Sequence, residues 1–167
     1  MGATLALTLA GITQSKNIFV ESNMPQDIWT ITQQLSRLHT IGVEQFGQVL
    51  PAKLTLRDHH PENAYQRYFS EESVQLAGAI RVTSIELRIP SANHTGPSLA
   101  NLALDGNCIT KAALESHYTP LTLIDVPRGS SVYEQFVYEH KMPGATLRFG
   151  FPEQTPDCLK GLTVEWS

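Results

Sequence analysis

The sequence predicts an α+β domain: a mostly antiparallel sheet with two main helices packed on one face. Three observations point there. Runs such as "VYEQFVYEH" and "ATLRFGF" alternate apolar and polar residues, the period of strands with one buried face. Short turn signals separate the last of these runs, which favours antiparallel neighbours. Two other stretches carry apolar residues at helical spacing instead. At 167 residues, 41% of them apolar and 17% charged, the chain has the length of a single domain, residues 1–167, and can bury a real core.

Taken in order, "ATLALTLAG" sets Leu5, Leu7 and Leu9 against Thr4, Ala6 and Thr8, which predicts a first strand. No Lys or Arg precedes it and no small-residue cleavage pattern follows, so it does not read as a signal peptide. Met1-Gly2 is expected to be a cloning remnant in place of a removed leader. "NMPQDIWTITQQLSRLHTIG" predicts the first helix. Asn23 or Met24 forms its cap region, Pro25 lies in its first turn and Asp27 sits near the positive end of its dipole. Ile28, Ile31, Leu35 and Leu38 form its buried stripe, and Gly42 ends it.

"KLTLRD" is a short strand, and "SEESVQLAG" is ambiguous. "AIRVTSIELRI" is a strong strand whose apolar phase shifts between Val82 and Ile85. Either a bulge sits near Thr83-Ser84 or both faces are partly covered. "PSANHTGPS" is a loop, and "LANLALDGN" a strand running into a turn. Thr110 caps a second helix through "KAALESHY", with Ile109 placed to pack on Leu114. "PLTLIDV" is a strand and "PRGSS" a turn. "VYEQFVYEH" and "ATLRFGF" form a hairpin through "KMPG". Phe136 and Tyr138 face Leu147, Phe149 and Phe151 across it. "LTVEWS" closes the chain with Leu162, Val164 and Trp166 on one side.

The net charge of −4 and the scattered lysines and arginines argue against nucleic acid and anionic membrane surfaces as partners. No apolar run approaches the roughly 18 residues of a membrane span. Cys108 and Cys158 have no CxxC spacing and no ligand cluster beside them, so a zinc site is not expected. They are either buried thiols or a disulfide, and the disulfide agrees with a removed leader.

"RDHHPENAYQRYF" is the stretch richest in chemical groups. On a strand, the adjacent His59 and His60 point to opposite faces and cannot share a metal. In a turn they could converge, with Asp58 and Glu62 completing a site. The composition reads better as a polar loop fixed by Pro61, in which tyrosine and arginine serve as contact residues. No GxSxG nucleophile motif and no glycine-rich phosphate cradle occurs. Cys108 with His117 could be drawn as a dyad, but nothing in the spacing singles it out. No cofactor is expected.

The second half, "GNCITKAALESHY…DVPRGSSVYEQFVYEH…ATLRFGFPEQTPDCLKGLTVEW", resembles small periplasmic proteins of Gram-negative bacteria. Among these are immunity proteins that neutralise effectors of the type VI secretion system. The residues that carry the resemblance are "CITKAALE", "LRFGF" and "PDCL". It implies a leader-directed periplasmic protein that works by binding an effector or toxin, and it brings no catalytic residues.

Three function classes follow. A non-enzymatic inhibitor of a partner toxin would use exposed polar and aromatic loops, with Arg57, Asp58, His59, Tyr65, Arg67, Tyr68 and Arg128 as contact residues. A small enzyme or ligand-binding protein would have a deep pocket around Asp58, His59, His60 and Glu62. A structural module of the envelope would show a long exposed sheet edge.

Overall fold

The computed structural model describes residues 25–57, 60 and 62–167. The strand expected at Thr4–Leu9 lies outside them. Within the described residues the elements run α1 (Ile28–Ser36), α2 (Val43–Val49), β1 (Thr55–Arg57), β2 (Tyr65–Ser70), β3 (Val74–Leu76), β4 (Ile80–Pro90), β5 (Ser98–Gly106), α3 (Lys111–His117), β6 (Thr122–Asp125), β7 (Gln135–Met142), β8 (Ala145–Pro152) and β9 (Gly161–Trp166). The strands form one sheet in the order β1-β2-β4-β5-β9-β8-β7-β6, with β3 paired to β4 beside β2. Every pairing is antiparallel. The predicted α+β class is thus observed.

Alternation along the strands decides what is buried. Ile85 and Leu87 of β4, Leu102 and Leu104 of β5, Leu147, Phe149 and Phe151 of β8, and Leu162, Val164 and Trp166 of β9 are all buried. They share a single core cluster with Ile31 and Leu35 of α1, Phe46 of α2 and Leu114 of α3. The register of β4 on β5 shifts between Val82 and Ser84. Thr83 is therefore the extra residue of a bulge. It returns Ile80, Val82, Ile85 and Leu87 to one face despite the odd spacing in the sequence. The hairpin through Pro143-Gly144 sets Phe136 against Phe151 and Tyr138 against Phe149, with Gly144 at φ 79°, a conformation that suits glycine.

The helical ends differ from expectation. Asp27, not Asn23 or Met24, caps α1: its Oδ1 accepts a 2.7 Å hydrogen bond from the Thr30 N–H. Pro25 consequently precedes the helix rather than lying in its first turn. The helix stops at Ser36, and Gly42 starts α2 instead of ending α1. The helix not expected from the sequence is α2, which buries only Phe46 and starts at Gly42 with no side-chain cap bond; α3 is equally short but is marked by its Thr110 cap. Thr110 does cap α3, accepting from the Ala113 N–H at 3.2 Å.

Two cross-links tie the layers together. Trp166 Nε1 donates to the Leu35 carbonyl at 2.8 Å in the interior, joining the last strand to the end of α1. Cys108 and Cys158 form a disulfide across a sequence separation of 50. The backbone bond from Leu159 N–H to the Ile109 carbonyl, 2.9 Å, lies beside it. A disulfide fits an oxidising, extracytoplasmic compartment. Among the described residues no helix is long and apolar enough to cross a membrane.

Candidate functional site

The face of the sheet opposite the apolar cluster carries the other half of each alternating pattern. Register places Phe69, Glu86, Asn101, Thr163, Arg148 and Glu139 in one row across β2, β4, β5, β9, β8 and β7. The row carries two hydrogen-bonded groups. Glu86 accepts from Arg67 Nε at 2.8 Å, from Arg88 Nε at 2.7 Å and from Asn101 Nδ2 at 3.4 Å. Asn101 in turn accepts from the Thr163 hydroxyl at 2.7 Å. Arg148 donates to Glu139 at 3.1 Å and grips Glu165 with both terminal nitrogens, at 3.0 and 3.3 Å.

Burial works to raise the pKa of Glu86, but hydrogen bonds from Arg88 and Arg67 outweigh it, and the carboxyl is held below its ordinary range. The Glu86 side chain is only 15% exposed, and its loss leaves the half-exposed guanidinium groups of Arg67 and Arg88 near each other without the carboxylate between them. Glu86→Ala is expected to cost about 2 kcal/mol in chemical denaturation, and Glu86→Gln somewhat less. The sign of the pH dependence follows from the lowered pKa. An unfolded carboxyl takes up its proton at higher pH than the folded one, so the stabilisation is complete above the ordinary glutamate range. It disappears as pH falls through the depressed value. The gap between wild type and Glu86→Gln should therefore begin to narrow as pH falls below the ordinary glutamate value of about 4.3, and close only below the depressed one.

Beside this row runs a second one made of small residues. Ser84, Ala103, Gly161, Gly150 and Val137 are register partners in turn across β4, β5, β9, β8 and β7, and Asp125 of β6 is opposite Val137. Small residues next to a row of long ones leave a depression that crosses the strands. A cavity of about 420 Å³ lies over its β4–β9 end, lined by Phe69, Ser84, Glu86, Ala103, Gln135 and Gly161 among others. A second, of about 520 Å³, lies at the β6–β7 end, lined by Asp125, Arg128, Tyr133, Gln135 and Val137. Gln135 lines both. Its side chain lies over the glycines: a β-carbon built on Gly150 would come within 1.9 Å of Gln135 Oε1.

The second cavity is bordered by the loop from residue 126 to 134, which has a fixed shape. The Glu134 carboxylate accepts the backbone N–H groups of Arg128, Gly129 at 2.9 Å and Ser130 at 3.1 Å. These bonds, that from Arg128 foremost, lower the pKa of Glu134. Gly129 supplies the positive φ of 77° that the turn requires. Held this way, the loop leaves Tyr133 86% and Val132 68% exposed. Val126, Leu123 and Ile124 are exposed beside them, so apolar surface is gathered at this end of the sheet.

The predicted contact residues divide between several places. Asp58 and His59 lie outside the described residues. Arg57 is in β1, paired with Glu71 at 3.2 Å. Tyr65, Arg67 and Tyr68, expected in a loop, belong to strand β2. The strand period then separates them. Tyr65 and Arg67 share the polar face with Glu86 and Arg88. Tyr68 is opposite Leu87 on the apolar face, packs on the core and donates to Gln66 Oε1 at 2.9 Å. One surface cannot use all three. Arg128 does lie in an exposed loop, with its guanidinium 3.5 Å from Asp125. His60 and Glu62 are exposed and line neither cavity. Among the described residues no group of three or more His, Cys, Asp or Glu is placed to hold a metal ion.

Sequence reading missed Tyr133, Glu134 and Gln135 as site residues, because "VYEQFVYEH" looks like one uninterrupted strand. The strand starts only at Gln135. The isolated glycines at 150 and 161 were the available signal, since glycine inside a strand often marks close backbone approach. No protein-family model, curated protein or solved structure matches the chain.

Proposed function

We propose that this is a non-enzymatic periplasmic protein that binds and inhibits a partner toxin, an immunity protein for a bacterial effector. The observation that carries the reading is the 126–134 loop. It presents a large aromatic side chain, Tyr133, almost fully to solvent on a backbone already held in shape by Glu134. Exposing tyrosine and valine gives a monomer no benefit in folding. A pre-ordered loop, however, loses little entropy on association, and tyrosine and arginine are the residue types that dominate interface energetics. The disulfide and the absence of a cysteine left over agree with the periplasm. Among the described residues the outermost strands of the sheet, β1 and β6, have only three and four residues, and β6 shifts register between Leu123 and Asp125. Such edges suit a protein that binds through loops and faces better than an envelope module that extends its sheet.

The test is protection. Co-expression with the toxin encoded beside it should rescue cells. Tyr133→Ala should weaken the purified complex by at least about 2 kcal/mol, roughly thirtyfold in Kd. Arg128→Ala should weaken it less, and neither should lower the melting temperature. Tyr68→Ala should lower the melting temperature and leave affinity per folded molecule unchanged. Turnover of a substrate by the pure protein, with no toxin neutralised, would reject the reading.

A further inference from the structure

We infer that the cavity beside the 126–134 loop receives a carboxylate side chain of the partner, set in an apolar surface, and that Arg128 is the group that holds it. The inference rests on the binding reading and names the partner's chemistry at that same loop. The apolar surface comes first. Among the described residues six large apolar side chains are exposed, and five of them, Leu123, Ile124, Val126, Val132 and Tyr133, fall within β6 and the loop that follows it. An apolar counterpart is what such a surface fits. Covering it also takes water from any charge that stands among these side chains, and a charge left unmatched there opposes docking.

The charges at the cavity select the occupant. Three charged side chains line it: Asp125, Arg128 and Glu134. The two carboxylates are committed to the backbone. Glu134 accepts the N–H groups of Arg128, Gly129 and Ser130, and Asp125 Oδ1 accepts the Val126 N–H at 3.0 Å. The Arg128 guanidinium is 78% exposed, and its ion pair is a terminal nitrogen 3.5 Å from that same Asp125 oxygen. A pair so long and so exposed contributes little and yields easily. A guanidinium has five N–H donors in a planar fork that takes a carboxylate with two of them at once. The base of the side chain is already in place, because the Arg128 N–H is bonded to Glu134 and Gly129 follows at a φ of 77°. Binding therefore orders the side chain alone. A basic group of the partner would be repelled by Arg128 and would find both carboxylates engaged.

The experiment uses peptides as the probe. A phage-displayed library of random linear peptides is panned on the immobilised full chain, with Tyr133→Ala as the counter-target, and selected peptides are measured by fluorescence polarisation. Enriched sequences should combine apolar residues with Asp or Glu. Arg128→Met, which keeps the stem but not the charge, should weaken them at least about tenfold at an unchanged melting temperature, and Arg128→Lys should lie between. Changing the peptide's own carboxylate to the amide should remove most of that difference, as a direct pair requires. Asp125→Asn, which frees Arg128 and can still accept the Val126 N–H, should bind at least as tightly as the wild type. The inference is overturned if no peptide is enriched or the enriched ones lack acidic residues, if Arg128→Met binds them like the wild type, or if Asp125→Asn weakens them as much as Arg128→Met. It is also overturned if the chain sediments as a dimer that Tyr133→Ala dissociates, which would give this surface to a second copy. Toxin neutralisation separates the two levels. If Tyr133→Ala abolishes protection while Arg128→Met leaves the Kd of the complex unchanged, the carboxylate contact falls and the binding reading stands. If the peptides bind as expected but no toxin is neutralised, the inhibitory reading falls alone.

Discussion

Replacing Cys108 and Cys158 together by alanine is expected to cost about 4 kcal/mol. The bond closes a loop with a sequence separation of 50. In the chain-entropy model a loop of that size restricts the unfolded state by on the order of 4 kcal/mol. The site adds a structural reason. Cys108 lies between β5 and α3, and Cys158 just before β9, so the bond holds the entry of a helix to the start of a central strand. The Leu159–Ile109 backbone bond next to it would then close a loop that the unfolded chain no longer restrains. For a domain of this size the loss corresponds to a fall in melting temperature of roughly 10 °C. Chemical denaturation of wild type and the double variant, without reductant, measures it. Alkylation of the native oxidised protein should label no thiol. A double variant within about 1 kcal/mol of wild type would mean that loop closure is not what the bond contributes.

Trp166→Ala should be comparably damaging, at about 4 kcal/mol. The ring is 5% exposed and sits at the end of β9, where register brings it opposite Ser98 and Ala145. Removing it opens a cavity between the sheet and α1. It also removes the donor that reaches the Leu35 carbonyl at the end of the helix. Trp166→Phe separates the two effects. It keeps most of the volume but removes the indole donor from a carbonyl that still accepts the Leu38 N–H at 3.0 Å, and should cost about 1 kcal/mol. If the two variants were equally unstable, the hydrogen bond rather than the packing would dominate. Both can be read from denaturant midpoints at constant slope.

The site was less legible than the fold, and particular residues show why. "RDHHPENAYQRYF" drew attention through its composition, but composition does not say which face a residue takes. Once β2 pairs with β4, Tyr65 and Arg67 face one way and Tyr68 the other. Arg128 was recognisable because Pro-Arg-Gly-Ser is turn chemistry wherever it occurs. Tyr133 was not, because one exposed tyrosine at the head of an alternating run is indistinguishable from a strand residue. Glu86 offered only its spacing of two from Arg88 within a strand. That partner is local, but Arg67 and Asn101 are 19 and 15 residues away, and only the register of β2, β4 and β5 makes them neighbours.

What the sequence determined by itself is local. Period-two alternation in "ATLRFGF" and "LTVEWS" set which side chains would be buried, because a pleated strand has only two faces. Thr110 set the start of α3, because a hydroxyl at that position satisfies a backbone N–H a turn away. The two cysteines pointed to a bond, which the fold then places. Tertiary structure decided everything that depends on strands lying side by side. It resolved the shift in "AIRVTSIELRI" as a bulge at Thr83, since only a bulge keeps both halves of β4 against one core. It aligned Ser84, Ala103, Gly161 and Gly150 into a groove although they are spread over residues 84 to 161. It also left one tyrosine in water. Each of these is a sum over long-range pairings, and the energy that selects among them is the burial of one shared apolar face, a quantity no single segment contains.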